Sequence, residues 1–186
     1  MSIIKNLKHR FFARRRAAEV ARVGGKSTGN ARPVNLANAG RIVLLIPADS
    51  ATERKAVDKW RERMTSPTRR IKLVGVFAED VGKVAFDFTT FSPATYNWFG
   101  APEGPAYQAF QDLECDLLLR LGPPEHALLD YLAAVKRASV KVGPWQPEAE
   151  VDYDLQFDAG AHPQLSQQLG AIEQIFSFTN ASIPTT

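Results

Sequence analysis

The strongest constraint on the fold is the unbroken apolar run at residues 42–46, Ile-Val-Leu-Leu-Ile. A strand with one wet face alternates polar and apolar residues, whereas a continuous β-branched and leucine run indicates a strand buried on both faces of a parallel sheet. Asp49 and Ser50 follow the run, and both are favourable helix N-cap residues. The pattern predicts a helix that extends to about Met64, with Thr52 and Glu53 in its first turn.

Strand patterns and helix patterns alternate through the rest of the chain. Further strands are predicted at 71–77, 83–88, 115–121, 140–143 and 153–157, and further helices at 105–113, 125–137 and 163–177. This alternation predicts an α/β fold, a three-layer Rossmann-like sandwich on a mostly parallel sheet of five or six strands. The short connection between the second and third strands allows those two to pair as an antiparallel hairpin in a mixed sheet.

The N-terminal region is far more basic than the rest of the chain. Residues 1–40 contain nine of the 23 Lys and Arg residues and one of the 20 acidic residues, Glu19. Residues 1–23 predict a basic amphipathic helix, in which Leu7 and Phe11 belong to the apolar stripe. Residues 24–40 are polar and Gly-rich and predict a flexible linker, residues 41–178 a single α/β domain, and residues 179–186 a tail.

Three interpretations of the basic helix remain open. It packs on the domain by its apolar stripe, or it is an arm that contacts RNA phosphates or an anionic lipid surface, or it is a disordered tail. In the second interpretation the partner is RNA, a ribosome, an anionic membrane surface or an acidic protein. The candidate partner-binding residues are the helix cations Lys5, Lys8, Arg10, Arg14, Arg15 and Arg16.

A second candidate site lies where the strands end, because ligands of open α/β sheets bind at that edge. The candidate ligand-binding residues there are Asp49, Ser50, Ser92, Asn97, Trp98 and Gly100. Residues 97–100, Asn-Trp-Phe-Gly, have two interpretations. In one, both aromatics fill the gap between helix and sheet, Asn97 makes a local turn bond and Gly100 supplies a positive φ. In the other, Trp98 stacks on a ligand or partner.

The chain does not match the sequence motifs of nucleotide-binding or zinc-binding sites. Residues 25–28, Gly-Lys-Ser-Thr, match the end of a phosphate-binding P-loop, but position 20 is Val20 and no strand precedes it. The turn after the first strand lacks the glycines of a dinucleotide fingerprint. The Cys and His spacing suits no zinc site, and Cys115 is expected to be a buried, inert thiol. We therefore predict no catalytic residue, no metal and no cofactor. We expect His126 to be a surface or helix-capping residue, and Asp152, Asp154 and Asp158 to share one face of an edge strand.

Residues 96–100, the strand that begins at Cys115, and residues 141–143 (Lys-Val-Gly) carry a resemblance. The chain resembles uncharacterised bacteroidete proteins that are grouped as a domain of unknown function. These share a basic N-terminal helix, a buried first strand, an Asn-Trp-Phe-Gly loop and a terminal helix. The segment from Asp116 to Gly143 is also similar to half of a heptosyltransferase-like glycosyltransferase. The domain that would bind a nucleotide-sugar donor has no counterpart in the chain.

These observations favour a non-catalytic α/β binding or scaffold module whose basic N-terminal arm contacts an anionic partner. The alternative is a small-molecule-binding protein or small enzyme related to a glycosyltransferase half-domain, with its pocket near residues 97–100. The N-terminus lacks the apolar core of a signal peptide, and no segment has the length and apolarity of a membrane span. We expect a cytoplasmic location, either free or at the inner membrane face.

Overall fold

The computed structural model describes residues 2–23, 34–82, 84–147 and 153–181, without the side chains of residues 2–6, 23 and 179–181. Five α-helices lie in this part of the chain: α1 (Ser2–Val23), α2 (Ala51–Met64), α3 (Pro105–Asp112), α4 (Ala127–Val135) and α5 (Leu165–Ala181). Its strands are β1 (Arg41–Pro47), β2 (Arg70–Val76), β3 (Thr89–Phe91), β4 (Leu117–Arg120), β5 (Val140–Pro144) and β6 (Leu155–Phe157). A 3₁₀ turn, Pro93–Thr95, follows β3.

The six strands form one sheet in the order β3-β2-β1-β4-β5-β6, and every neighbouring pair is parallel. The predicted Rossmann-like α/β sandwich is confirmed. The antiparallel hairpin that the short connection allowed does not form, because β2 and β3 pair in parallel with Val74 opposite Thr89. The central strand β1 is buried from Ile42 to Ile46, as its apolar run predicts.

Helices cover both faces of the sheet because successive β1 residues point to opposite sides. Ile42, Leu44 and Ile46 pack in one core with α2 and α5. Val43 and Leu45 pack in a second core with α3 and α4. The helix α1 lies on the outside of the α3–α4 layer, where it contributes side chains to this second core.

The strand predicted at residues 83–88 is wrong. Residues 84–88 lie outside any strand, Lys83 lies outside the described residues, and the third strand is β3, which begins at Thr89. Phe86 and Phe88 alternate as in a strand, but both rings pack on the core beside α2 and α5, and Phe86 lies 5.0 Å from Phe77 between ring centroids. Residues 77–82 and 84–88 are thus part of an aromatic crossover that covers the sheet where a helix normally does.

The packed part of the chain begins before β1. Leu36 and Ala39 are buried in the core beside α2 and α5, and Asn35 closes a turn by accepting the backbone N–H of Asn38. Residues 34–40 of the predicted linker therefore belong to the domain. Residues 24–33 of that linker, and residues 182–186 of the predicted tail, lie outside the described residues.

Candidate functional site

The crevice where ligands bind in such sheets is closed by the protein itself. The chain leaves β1 and β4 towards opposite faces, which makes this the switch point of the sheet. Gly122, just after β4, has φ +105, and a Cβ there would lie 2.7 Å from Pro47 at the end of β1. The Gly122 backbone N–H donates to Gln168 Oε1 at 2.7 Å, and the Gln168 Nε2 donates to the His162 carbonyl at 2.9 Å. A buried α5 side chain thus occupies the switch point.

The side chains of Asp49 and Ser50, beside this crevice, accept hydrogen bonds from the protein's own backbone. The Asp49 carboxylate accepts the Ala78 backbone N–H at 2.9 Å, which joins the β1–α2 turn to the segment after β2. The Ser50 hydroxyl accepts the Glu53 N–H at 3.3 Å and is the N-cap of α2. Arg54 covers the same turn, because it donates to the Asp49 carbonyl at 3.1 Å.

A buried ion pair that the sequence analysis did not identify lies under the end of β4. Arg120 is fully buried, and its Nε donates to Asp130 Oδ1 at 3.1 Å. The Tyr153 hydroxyl approaches the same oxygen at 3.4 Å. Of the two roles expected for His126, surface residue or cap, the structure shows the cap, since its side chain accepts the Leu129 N–H. Desolvation together with the Arg120 charge lowers the His126 pKa. Both groups of the ion pair are buried, so loss of either partner would leave the other as an unpaired buried charge.

The loop after β3 is held by its own hydrogen bonds. Ser92 is buried, and its N–H donates to Thr95 Oγ1 at 3.1 Å. The Asn97 side chain accepts the Ala101 N–H at 3.0 Å, and Gly100 has φ +90. The local turn bond of Asn97 and the positive φ of Gly100 are therefore confirmed.

Trp98 is 58% exposed, so the prediction that it fills the gap between helix and sheet is wrong. Phe99 is half-buried against the core of α3 and α4. Phe11 of α1 packs against both rings of the loop, with centroids 6.2 Å from Trp98 and 6.2 Å from Phe99. The Lys8 Nζ lies 5.7 Å from the Trp98 ring centroid. The two candidate sites predicted from the sequence are therefore adjacent.

A single carboxylate fastens α1 to the domain. Glu19 Oε2 accepts hydrogen bonds from the hydroxyls of Tyr107 on α3 and Tyr131 on α4, the latter at 2.7 Å. Its Oε1 accepts Arg15 Nε at 2.9 Å. Desolvation opposes ionisation of Glu19, but these three hydrogen bonds outweigh it and hold the Glu19 pKa below its usual value. One turn away, Phe12 packs on Tyr131 with centroids 5.1 Å apart.

The predicted partner-binding cations divide into two groups. Arg15 faces the domain, where it pairs with Glu19 and donates to the Pro102 carbonyl at 3.3 Å. Arg16 is half-buried, and desolvation lowers its pKa. Lys8, Arg10 and Arg14 are exposed. The Lys5 side chain lies outside the described residues.

Apolar side chains lie next to the exposed cations. Leu7 is 45% and Phe11 42% exposed, and with Trp98 they form the apolar cluster of this surface. Leu7 is three residues from Arg10, and Phe11 is three residues from Arg14, a spacing that makes them neighbours on a helix. The only carboxylate of α1, Glu19, points into the domain. The outward face of α1, which carries Lys8, Arg10 and Arg14 beside Leu7 and Phe11, therefore combines exposed apolar groups with positive charge alone.

A polar groove of about 510 Å³ opens beside Glu19, between α1, α3 and the end of α4. Its charged residues have both signs: Arg15, Glu19, Arg22, Glu103, Asp112 and Arg137. Arg15 lies 3.7 Å from Glu103, and Gln108 donates to Asp112 at 3.0 Å. The groove therefore has no net charge that would select an anion or a cation.

The remaining candidate groups have local roles. The Cys115 thiol is desolvated, which raises its pKa to about 12 and makes it a poor nucleophile. Asp154 and Asp158 do not share a strand face, because they flank β6, and they accept the Lys141 and Gly160 backbone N–H groups; Asp152 lies outside the described residues. In the described part of the chain, no three His, Cys, Asp or Glu residues converge as metal ligands. No helix among the described residues has the length and apolarity to cross a membrane.

Comparison with known proteins identifies a family. A family model described as a family of unknown function, DUF6913, matches residues 15–169. The match begins within α1, spans β1 to β6 and includes the Asn-Trp-Phe-Gly loop, whereas Lys8, Arg10 and Arg14, like Leu7 and Phe11, lie before it. Searches of curated proteins and of solved structures found no significant match. The expected membership in a family of unknown function is confirmed, whereas the bacteroidete origin and the glycosyltransferase similarity stay predictions.

Proposed function

The chain belongs to the family of unknown function DUF6913, and we propose that it is a non-catalytic binding module that holds an anionic partner on the outward face of α1. One observation carries the proposal. The α1 helix is fastened to the domain through Phe12 and Glu19, and this orientation leaves Lys8, Arg10 and Arg14 exposed without a carboxylate among them.

A docked helix suits this role better than a free arm. Binding by a disordered segment costs the free energy of ordering it, whereas a helix already held on a domain presents its cations in fixed positions. Arg10 and Arg14 are four residues apart and thus lie one above the other on the same side of α1. The spacing lets both guanidinium groups reach one anionic surface together.

The absence of catalysis in this proposal is supported by the groups at the carboxyl edge of the sheet. Pro47, Gly122 and Gln168 fill the switch point, and Asp49 and Asn97 use their side chains in local hydrogen bonds. A pocket of the alternative kind has several polar groups that converge on a small molecule, whereas these side chains hold the protein's own backbone. We propose a cytoplasmic location in a bacterial cell, where anionic partners of this class are available.

The test compares two charge reversals of equal size. Arg10→Glu with Arg14→Glu acts on α1, and Lys55→Glu with Lys59→Glu acts on exposed cations of α2 that share the four-residue spacing. Both variants change the net charge equally, so any difference between them reports position. The probe is a sulfated polysaccharide column eluted with a salt gradient, because screening weakens such contacts.

We expect the α1 reversal to elute at markedly lower salt than the unmodified protein, and the α2 reversal to elute close to it. Thermal unfolding of each variant provides the folding control. Equal losses of retention in the two variants would mean that net charge alone determines binding, and this result contradicts the proposed function.

A further inference from the structure

The outward face of α1 and its apolar cluster point to a specific partner, and the inference rests on the proposed function. We propose that Leu7, Phe11 and Trp98 insert into the headgroup region of an anionic lipid bilayer while Arg10 and Arg14 contact the lipid phosphates. The partner is the bilayer surface, and α1 lies along it without crossing it.

The exposure of the apolar cluster supports insertion into a bilayer. Leu7, Phe11 and Trp98 are 45%, 42% and 58% exposed, and Phe11 joins α1 to the loop that carries Trp98. Adjacent half-exposed large apolar side chains indicate an interaction surface rather than isolated surface residues. Trp in particular is favoured at membrane interfaces, because its ring has an apolar body and a polar N–H.

The positive charge of α1 is complementary to the negative charge of an anionic bilayer. Lys8 and the pair Arg10 and Arg14 lie beside the cluster on both sides, and Glu19 points away from it into the domain. An anionic leaflet attracts such cations with about 1 kcal/mol each, and apolar insertion adds to this attraction. The two kinds of group on one helix are those of an interfacial helix.

The same residues fit nucleic acid less well. Single-stranded nucleic acid binds by stacking its bases on aromatic faces. Lys8 lies over the Trp98 ring, and Phe99 meets that ring in a T-shaped contact with centroids 5.8 Å apart, so neighbouring side chains crowd the ring. Leu7 offers no face for stacking but suits the apolar boundary of a bilayer. A bilayer therefore accounts for all three members of the cluster.

The experiment measures co-sedimentation of the full chain with vesicles of phosphatidylcholine alone and of equimolar phosphatidylcholine and phosphatidylglycerol. Trp98→Ala removes the exposed ring, and Trp145→Ala is its matched control, because Trp145 is also 58% exposed. We expect binding to the anionic vesicles only. Trp98→Ala should weaken it about tenfold, as expected for loss of a partly inserted aromatic side chain, and Trp145→Ala should leave it unchanged.

Fluorescence provides a second measurement that does not depend on the alanine variant folding. Brominated lipids quench tryptophans that lie in the headgroup and acyl boundary. We expect quenching in the unmodified protein and in Trp145→Phe, and its loss in Trp98→Phe. Equal quenching in Trp98→Phe and in the unmodified protein would overturn the insertion of Trp98.

The outcomes separate this inference from the proposed function. Retention on the polysaccharide column that depends on Arg10 and Arg14, combined with no vesicle binding, overturns the bilayer inference and leaves the proposed function standing. Binding to a single-stranded polyuridine oligomer that exceeds vesicle binding and depends on Trp98 also overturns it, in favour of nucleic acid. If neither probe responds to Arg10 and Arg14, the proposed function itself fails.

Discussion

Glu19 Oε2 accepts a hydrogen bond from the Tyr131 hydroxyl at 2.7 Å, across 112 residues of sequence. Through this contact and the matching one from Tyr107, the only carboxylate of α1 holds one side of the helix against the domain, together with Phe12. The opposite side then carries the exposed cations. The Glu19 contacts thus link the orientation of the basic helix to the packing of α3 and α4.

Replacing this carboxylate should loosen α1. We expect Glu19→Gln to lower the free energy of unfolding by about 1–3 kcal/mol, because hydrogen bonds to a partly buried charge are stronger than neutral ones. The measurement is urea unfolding. Glu103→Gln is the control, since Glu103 is 55% exposed and 3.7 Å from Arg15, and its loss should cost at most about 0.5 kcal/mol. Equal effects of the two variants would contradict the role of Glu19.

Acidification should have a similar effect. Because the folded-state pKa of Glu19 lies below its ordinary value of 4.5, the charged form is favoured in the folded protein. Its contribution to stability is therefore fully present above about pH 4.5 and is lost as the pH falls through the lower folded-state pKa. Urea unfolding at a series of acidic pH values should show a loss in the unmodified protein that is smaller in Glu19→Gln. Parallel pH profiles would contradict the assignment.

The closed switch point predicts a sensitive glycine. Gly122→Ala places a Cβ 2.7 Å from Pro47 and imposes φ +105 on an L-residue. We expect a loss of at least about 2 kcal/mol, from backbone strain of about 1–3 kcal/mol and the added clash. Gly100→Ala is the control, because φ +90 strains the backbone there but no atom lies within 4 Å of the new Cβ. Denaturant midpoints that fall equally in both variants would mean that the Pro47 contact has no effect.

The buried ion pair predicts a large effect from a single deletion. Asp130→Ala leaves the fully buried Arg120 without its carboxylate, and we expect a cost of about 3–5 kcal/mol. The double replacement Arg120→Met with Asp130→Leu should cost less than the single one, since it leaves no buried charge. Thermal unfolding of both variants provides the comparison. A double replacement that is less stable than the single one would contradict this account.

The central architecture followed from the sequence because buried strands have a local signature. The run at residues 42–46 is apolar on both faces, and this is sufficient to predict a central parallel strand and helices on each side. The N-caps at Ser50 and His126 were also predictable, since capping depends on residues a few positions apart. The segment with Phe86 and Phe88 was not, because two aromatics at alternate positions look the same in a strand and in an extended crossover.

The candidate site could not be predicted in full, because it is formed by contacts between residues that lie far apart in the sequence. Nothing near Trp98 in the sequence distinguishes a core ring from one that is exposed beside a helix some ninety residues earlier in the chain. The partners of Glu19 are Tyr107 and Tyr131, which come together only when α3 and α4 pack. One signal was available. Glu19 is the sole acidic residue among the first 40, and a lone carboxylate in a cationic helix indicates a specific partner.

The proposed function requires α1 to be docked on the domain, and backbone hydrogen exchange of α1 tests this docking directly. The measurement follows the amides of residues 12–20 at neutral pH in the intact protein and in Glu19→Gln. We expect these amides to exchange much more slowly in the intact protein than in a free helix, and clearly faster in Glu19→Gln than in the intact protein. Exchange in the intact protein as fast as in an isolated peptide of the same residues would contradict the docking, because the cations would then belong to a free arm.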